Sequence, residues 1–375
     1  MELKIRKLKE PYPFKQIADH LRNIYYQEYG KDGTLIWDEG YTKYYFDANV
    51  AKEISKDFAF GTFTGKKLIG TLFGHWDLVR IGNKQTLEML NLGLMTVSPE
   101  YRRQGIAKRM LNQLIEQAKE RNIDLITALP QKGRYGDKLL KEHFDFVKFA
   151  KTKHLLKLME EQGVKAARLQ LGIIVGKIAT LFSHIPNLGD PEGIIRIGKS
   201  EDLERAIALI NSYSDRIPLS TIYTKKGFQH TLREFDSLAT RFGAPWGHQW
   251  LLLERNGELY ATVCCRVEKI AYEIKGGLFE EIYAALLSSL AFHEKMDSDE
   301  KRKFIAYILR KILIELPEIS CTQITTHQYE PKAFKKLRFA DDRNSYFLYM
   351  KAISEKGEII NQHVKFKEFF IEYYR

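Results

Sequence analysis

The stretch Leu92-Gly93-Leu94-Met95-Thr96-Val97-Ser98-Pro99-Glu100-Tyr101-Arg102-Arg103-Gln104-Gly105-Ile106-Ala107 decides how this chain is read. It opens as a short apolar strand, breaks at Ser98-Pro99, and restarts as a helix with Ile106, Met110, Leu111, Leu114 and Ile115 on one face. A basic, glycine-bearing turn lies between the two. Gly105 has no Cβ and Ala107 almost none, and the first N–H groups of a helix have no intrahelical partners. Those amides, with the helix dipole behind them, make a site for phosphate. Arg102 and Arg103 can add charge-assisted hydrogen bonds to the same anion. The turn is neither the GxxxxGK[ST] nucleotide loop nor a GxGxxG dinucleotide loop.

The flanking sequence extends the pattern on both sides. Lys4 to Leu8 alternates like a strand, and Phe14 to Glu28 places Ile17, Leu21, Ile24 and Tyr25 at helical spacing. An aromatic segment through Trp37, Tyr41, Tyr44, Tyr45 and Phe46 follows. Residues Phe58 to Thr64 and Leu68 to Trp76 predict a hairpin around Gly65, and Leu87 to Val97 a third strand that delivers the basic turn. After the helix come a buried-type strand from Ile123 to Leu129, a polar loop from Gln131 to Gly136, a helix from Asp137 to His143, and a strand region from Val147 to Leu158.

The spacing Arg102-x-x-Gly105-x-Ala107 after Val97-x-Pro99, in this order of elements, resembles the GNAT superfamily of acyl-CoA N-acyltransferases over roughly residues 1 to 158. Leu140 to Phe146 is similar to that superfamily's helix-to-strand motif Leu-Tyr-x-x-x-Gly-Phe. The resemblance implies an α/β fold with a mixed sheet. It also implies that Arg102, Arg103, Gln104, Gly105, Ile106 and Ala107 hold the diphosphate of an acyl-CoA, while the strand Met95-Thr96-Val97 pairs with its pantetheine arm. Acetyl-CoA, or another acyl-CoA, is the implied co-substrate, with no metal. The implied acceptor is an amine on a small molecule or peptide.

The reactive groups are less defined. The glutamate that histone-type members use as base falls on Asn91, which cannot take a proton at neutral pH. Glu88, earlier on the same strand, is the nearest carboxylate, either as base or as a solvated strand-end charge. Lys141 stands at the motif's tyrosine. Tyr135 on the preceding loop is then the candidate acid, with a plain surface tyrosine as the alternative. His75, His143 and the carboxylate after Tyr373-Tyr374-Arg375 are further candidates on elements near the site.

The second half repeats the order of the first. Gly193 to Ile197 predicts a strand, Glu201 to Tyr213 a helix, and Trp250 to Cys264 a hairpin around Asn256-Gly257. Glu300 to Leu316 predicts a helix, Ile319 to Thr326 a strand, Ala333 to Phe339 the helix-to-strand motif again, and Tyr346 to Met350 a last strand. Where the glycine loop should recur stand Gly276-Gly277-Leu278 and two expected helices bearing Leu286, Leu287, Leu290, Phe304, Tyr307 and Ile308. The expected organisation is two tandem GNAT-like domains, 1–158 and 191–353, the second degenerate and without the pyrophosphate loop. A linker helix at 159–190, striped by Ile174, Ile178, Leu181 and Ile185, joins them, and 354–375 forms a helical tail.

Length and composition agree with this. A chain of 375 residues with 44% apolar content can bury two cores. A formal charge of +11 favours an anionic partner, for which coenzyme A suffices. An RNA-linked acceptor such as aminoacyl-tRNA is a competing reading, but no helix-turn-helix, zinc or RNA-binding motif supports it. A non-catalytic acyl-CoA sensor is another, motivated by Asn91 and Lys141. The cysteines Cys264, Cys265 and Cys321 have no metal spacing and read as core residues of a reducing compartment. No stretch reads as a membrane span or signal peptide, so a cytoplasmic protein is expected.

Overall fold

The computed structural model describes residues 3–46, 54–81, 85–152, 155–171, 183–225, 227–229, 248–274, 278–324, 331–341 and 346–363. The strands of the first half are β1 (Leu3–Lys7), β2 (Thr34–Leu35), β3 (Ala59–Thr64), β4 (Lys67–Ile81), β5 (Gln85–Val97), β6 (Leu125–Ala128), β7 (Val147–Thr152) and β8 (Leu155–Leu158). Its helices are α1 (Phe14–Tyr29), α2 (Glu39–Tyr45), α3 (Ile106–Glu120), α4 (Tyr135–His143) and α5 (Glu160–Leu171). The second half contributes β9 (Ile194–Ile197), α6 (Leu203–Ser214), β10 (Leu219–Thr221), β11 (His248–Arg255), β12 (Glu258–Glu273), β13 (Phe279–Phe292) and α7 (Ser298–Glu315). It ends with β14 (Ile319–Ile324), α8 (Pro331–Lys336), β15 (Ala340–Asp341) and β16 (Tyr346–Ala352), then a 3-10 run, Lys356–His363.

Among the described residues these strands form two eight-stranded mixed sheets. The first runs β1-β3-β4-β5-β6-β16-β7 with β10 added on β4; the second runs β15-β8-β14-β13-β12-β11-β9 with β2 added on β12. The order is the same in both once one exchange is recognised. β16, the last strand of the second half, lies between β6 and β7 of the first sheet. β8, the last strand of the first half, lies between β14 and β15 of the second. The division expected at residue 158 therefore cuts across the hydrogen bonding, because each half finishes its sheet with a strand from the other.

On one face of the first sheet, α3 buries Ile106, Met110, Leu111, Leu114 and Ile115 against Leu72, Leu90 and Ile126. On the other face α1 and α2 cover an aromatic cluster of Trp37, Tyr41, Tyr45, Phe46 and Phe73. The aromatic segment contains a short helix, its N-cap Asp38 accepting from the Tyr41 amide.

Two further expectations are corrected. Leu286, Leu287 and Leu290 lie on the strand β13, not on a helix, and pair with β12 over most of its length. Only Phe304, Tyr307 and Ile308 lie on a helix, α7. The linker helix is described as far as Leu171; Ile174, Ile178 and Leu181 lie outside the described residues, as do Gly276, Gly277 and the tail beyond His363. No described helix is long and apolar enough to cross a membrane.

Candidate active site

The site grows out of a defect in β5. Its pairing with β4 slips between Thr71 and Phe73, so Leu94 and Met95 together oppose one residue, and Leu94 takes a positive φ of 49°. Thr71 donates its hydroxyl to the Leu94 carbonyl at 2.8 Å, satisfying a group the bulge takes out of the ladder. Thr71 has then spent its proton, so in the 2.6 Å contact between the two hydroxyls Thr96 is the donor. The 2.8 Å contact from His20 to Thr96 must in turn be donated by Nε2–H of the imidazole. His20, reaching down from α1, is the end of a one-way chain that fixes the bulge. Burial pushes its pKa down from 6.5 to about 4, which keeps it neutral at pH 7.

Beyond the bulge β5 leaves its other neighbour. The parallel pairing with β6 ends at Leu92 opposite Ala128. Pro130, which has no N–H to continue the ladder, instead accepts from the Phe347 amide of β16 at 3.1 Å. The two strands splay, and among the described residues no strand pairs with the edge of β5 from Gly93 to Val97 on that side. The direction of its amides follows from one bond: Ser98 N–H donates to Ile69 across β4 at 2.8 Å. Alternation along the strand then turns the Val97 backbone, and with it that of Met95, toward the gap.

At the end of the gap β5 passes through the turn Pro99–Tyr101 into α3. Gly105 is the N-cap in the left-handed region, φ 72°, with no side-chain cap and nothing within 4 Å of where a Cβ would lie. Among the described residues, the amides of Arg103 to Lys108 donate to no protein acceptor. Arg103, Gln104 and Gly105 are exposed, so these donors open to solvent. Arg102 does not join them. Its Nε donates to the Val97 carbonyl at 3.1 Å and its Nη1 to Glu28 of α1 at 2.6 Å, making it a brace under the turn. Glu28 also faces Arg134, across the gap, at 3.7 Å.

The candidate reactive groups fall apart in space. Glu88 is separated from Asn91 by three residues, so it points to the opposite face of β5, where the Trp76 indole donates to it at 3.1 Å. It also lies six residues before the bulge, about 20 Å along the strand. Tyr135 is the first residue of α4 and is 68% exposed. Sequence reasoning passed over Tyr349 of β16, whose hydroxyl donates to Asp137 of α4 at 2.6 Å and whose pKa is raised first by burial and then by that carboxylate.

The second sheet repeats the bulge without the site. Ser289 of β13 takes the place of Leu94, with φ 49° and the same slip against β12. Here the following helix, α7, is capped by Asp297, whose carboxylate accepts from the amides of Asp299 and Glu300 at 2.7 and 2.9 Å. The chain's own anion occupies the helix end, and Asp299 and Glu300 add two more negative charges.

Residues 4–139 match the family model of the acetyltransferase (GNAT) domain. That segment carries a GNAT-type acetyltransferase domain. The chain's fold is that of yeast (Saccharomyces cerevisiae) N-myristoyltransferase. One structure of that enzyme with bound myristoyl-CoA is similar at TM-score 0.71 and 11% identity, over 93% of this chain and 82% of that one. A second gives 0.70 and 13% over 93% and 78%. A third, with myristoyl-CoA and inhibitors, gives 0.72 and 12% over 93% and 79%. A search of curated proteins finds no sequence that matches. At such identities the likeness is one of fold, and it includes two mixed sheets in tandem.

Proposed function

We propose that the chain is an acyl-CoA-dependent N-acyltransferase that moves an acetyl group from acetyl-CoA to a primary amine. The observation that carries this is the uncapped start of α3, a row of undonated amides opening beside an unpaired strand edge. A diphosphate fits the first, and an amide-bearing arm about the length of pantetheine fits the second. Arg103, Gln104, Gly105, Ile106 and Ala107 supply main-chain donors to the diphosphate, and Arg103 adds its charge. Met95 and Val97 pair with the arm as an added strand, and a gap-facing N–H stabilises the oxyanion that forms on the thioester carbon. Direct transfer in a ternary complex needs little more than this positioning and a neutral amine.

Acetyl is the preferred donor because the space on the α1–α2 side of the bulge is filled ring against ring. Phe46 packs on Phe73 with centroids 4.8 Å apart, and Trp37 on Tyr45 at 5.4 Å. A long acyl chain would have to displace these buried rings. The amine enters between the two sheets. Cys264, Cys265 and Cys321 are buried and form no disulfide, which fits a reducing, cytoplasmic setting.

Isothermal titration with acetyl-CoA tests the reading first. Binding is expected, and Arg103→Glu should weaken it by about 10–100-fold, the worth of a charge-assisted hydrogen bond to an anion. Gly105→Trp, which fills the open space over the turn, should abolish it. No binding by the unaltered protein refutes the assignment. Thiol release over a panel of primary amines then separates a transferase from an acyl-CoA sensor, and a series of acyl chain lengths separates acetyl from myristoyl transfer.

A further inference from the structure

Gly93 of β5 is a glycine for the sake of room, not of backbone conformation. It does not take a positive φ, so its backbone would suit an alanine. Among the described residues, the one thing a Cβ there would meet within 4 Å is the Tyr45 hydroxyl, at 3.1 Å. Tyr45 is the last residue of α2 and is buried. Its ring packs edge-on against the fully buried Trp37, with centroids 5.4 Å apart. A ring held in a packed cluster has little freedom to swing aside, so the hydroxyl and the bare Cα beneath it form a fitted pair.

The pair stands at the apex of the gap, since Gly93 is the first residue of β5 past the end of its pairing with β6. An arm laid along β5 from the amides of α3 runs back past Val97 and Met95. Its reactive end arrives at Gly93, about 13 Å along the strand from Val97. An acyl chain attached there has no straight way on, because from Leu92 opposite Ala128 the two strands are hydrogen-bonded. On the α3 face, Leu90 and Ile126 are sealed beneath that helix. On the other face, Asn91 and Thr127 close the next row by a hydrogen bond between their side chains. The bare Cα of Gly93 is where a chain could turn out of the sheet, and the Tyr45 hydroxyl occupies that place.

We propose that Tyr45 sets the acyl chain length, its phenol seated on Gly93 and closing the apex to any acyl group longer than acetyl. This rests on the acyltransferase reading above. The role is one of volume and does not depend on which hydrogen bonds the hydroxyl makes. The hydroxyl has about the bulk of a methyl group, and behind it lie the buried rings of Trp37, Phe46 and Phe73. Shortening the side chain at position 45 therefore lengthens the space for the acyl group in steps, the first being the hydroxyl alone. A methyl on position 93 would take back the volume that the lost hydroxyl leaves.

The test measures kcat/KM by thiol release with acetyl-, propionyl-, butyryl- and hexanoyl-CoA, using whichever amine of the panel turns over. It compares the unaltered full chain with Tyr45→Phe, Tyr45→Leu and the double variant Tyr45→Phe, Gly93→Ala. The unaltered chain should favour acetyl over propionyl by about 10–200-fold, the discrimination that one methylene commands in a closed pocket. Tyr45→Phe should remove most of the preference against propionyl while hexanoyl stays excluded, and Tyr45→Leu should move the optimum to butyryl or hexanoyl. Adding Gly93→Ala to Tyr45→Phe should bring the acetyl preference back, which a general loosening of α2 would not do. An unaltered chain that uses hexanoyl as readily as acetyl overturns the proposal, as does a chain-length profile that both single variants leave unchanged, or a double variant as permissive as Tyr45→Phe. If the leucine variant fails to fold, Tyr45→Phe and the double variant carry the comparison. Calorimetry keeps the two readings apart: failure of the unaltered protein to bind acetyl-CoA sinks the acyltransferase, whereas binding and turnover with a profile indifferent to Tyr45 sinks only the length limit. If acetyl-CoA binds but no amine is acylated, both fall.

Discussion

His20 sits where a proton would do harm. Its Nε2–H is the first donor in the chain through Thr96 and Thr71 to the Leu94 carbonyl, and its pKa lies near 4 against 6.5 for an ordinary histidine, because it is buried. A neutral form favoured in the fold means that the unfolded chain gains its proton first as pH falls. The contribution is complete above about pH 6.5 and is lost down to about pH 4, for a total of about 3 kcal/mol. Urea unfolding at pH 7 and at pH 4.5 should show most of this loss in the unaltered protein. His20→Gln keeps a donor toward Thr96 and should remove that part of the pH dependence; an identical slope in the variant would mean that other groups carry it. His20 was not legible in the sequence, since nothing local tells a helix histidine that it will meet a bulge 76 residues away. Glu88 was left open in the sequence for a plainer reason. Counting back along a strand reaches the right neighbourhood, but an odd step reverses the face, so the carboxylate nearest in sequence points to the face opposite Asn91.

At the level of elements, α2 is bound to the second sheet by charge as well as by rings. Tyr41 donates to Glu268 of β12 at 3.2 Å, and Glu268 pairs with Arg266 at 2.6 Å, all three nearly inaccessible to water. Burial opposes the charge on Arg266, but Glu268 and the phenols of Tyr44 and Tyr41 outweigh it. Glu268→Ala would leave a buried guanidinium without its carboxylate and should destabilise the protein by about 3–5 kcal/mol. Replacing both partners, with Arg266→Met and Glu268→Leu, should recover most of that loss in the same denaturation experiment. The sequence showed the aromatic segment and could not show its partner. It did show that the glycine turn before α3 has no counterpart in the second half, while the Asp297 cap of α7 emerges only in the structure. β13 was misread because Tyr283-Ala284-Ala285-Leu286-Leu287 is made of good helix formers. Burial between β12 and β14 overrides that propensity.

For the whole molecule the decisive feature is the reciprocal exchange of β8 and β16. Tyr346-Phe347-Leu348-Tyr349-Met350 reads as a continuous apolar run, the mark of a strand buried on both faces. Such a run announces a central strand without saying in which sheet, so the repeat of elements was legible and the crossing was not. The crossing makes the two sheets one cooperative object. Without β16, β6 and β7 face each other across an empty place and both lose a full ladder of hydrogen bonds. A fragment of residues 1–158 should therefore fail to fold, showing no cooperative unfolding and exposed strand edges that promote aggregation. The full chain should melt in one transition by calorimetry, with equal calorimetric and van't Hoff enthalpies. Two separate transitions, or a well-folded fragment that binds acetyl-CoA, would show that the first sheet closes without its borrowed strand. The expected single transition also gives the second copy its use: having put its own carboxylate where a phosphate would go, it supplies the strand that seats α4, through Tyr349 and Asp137, beside the gap in the first.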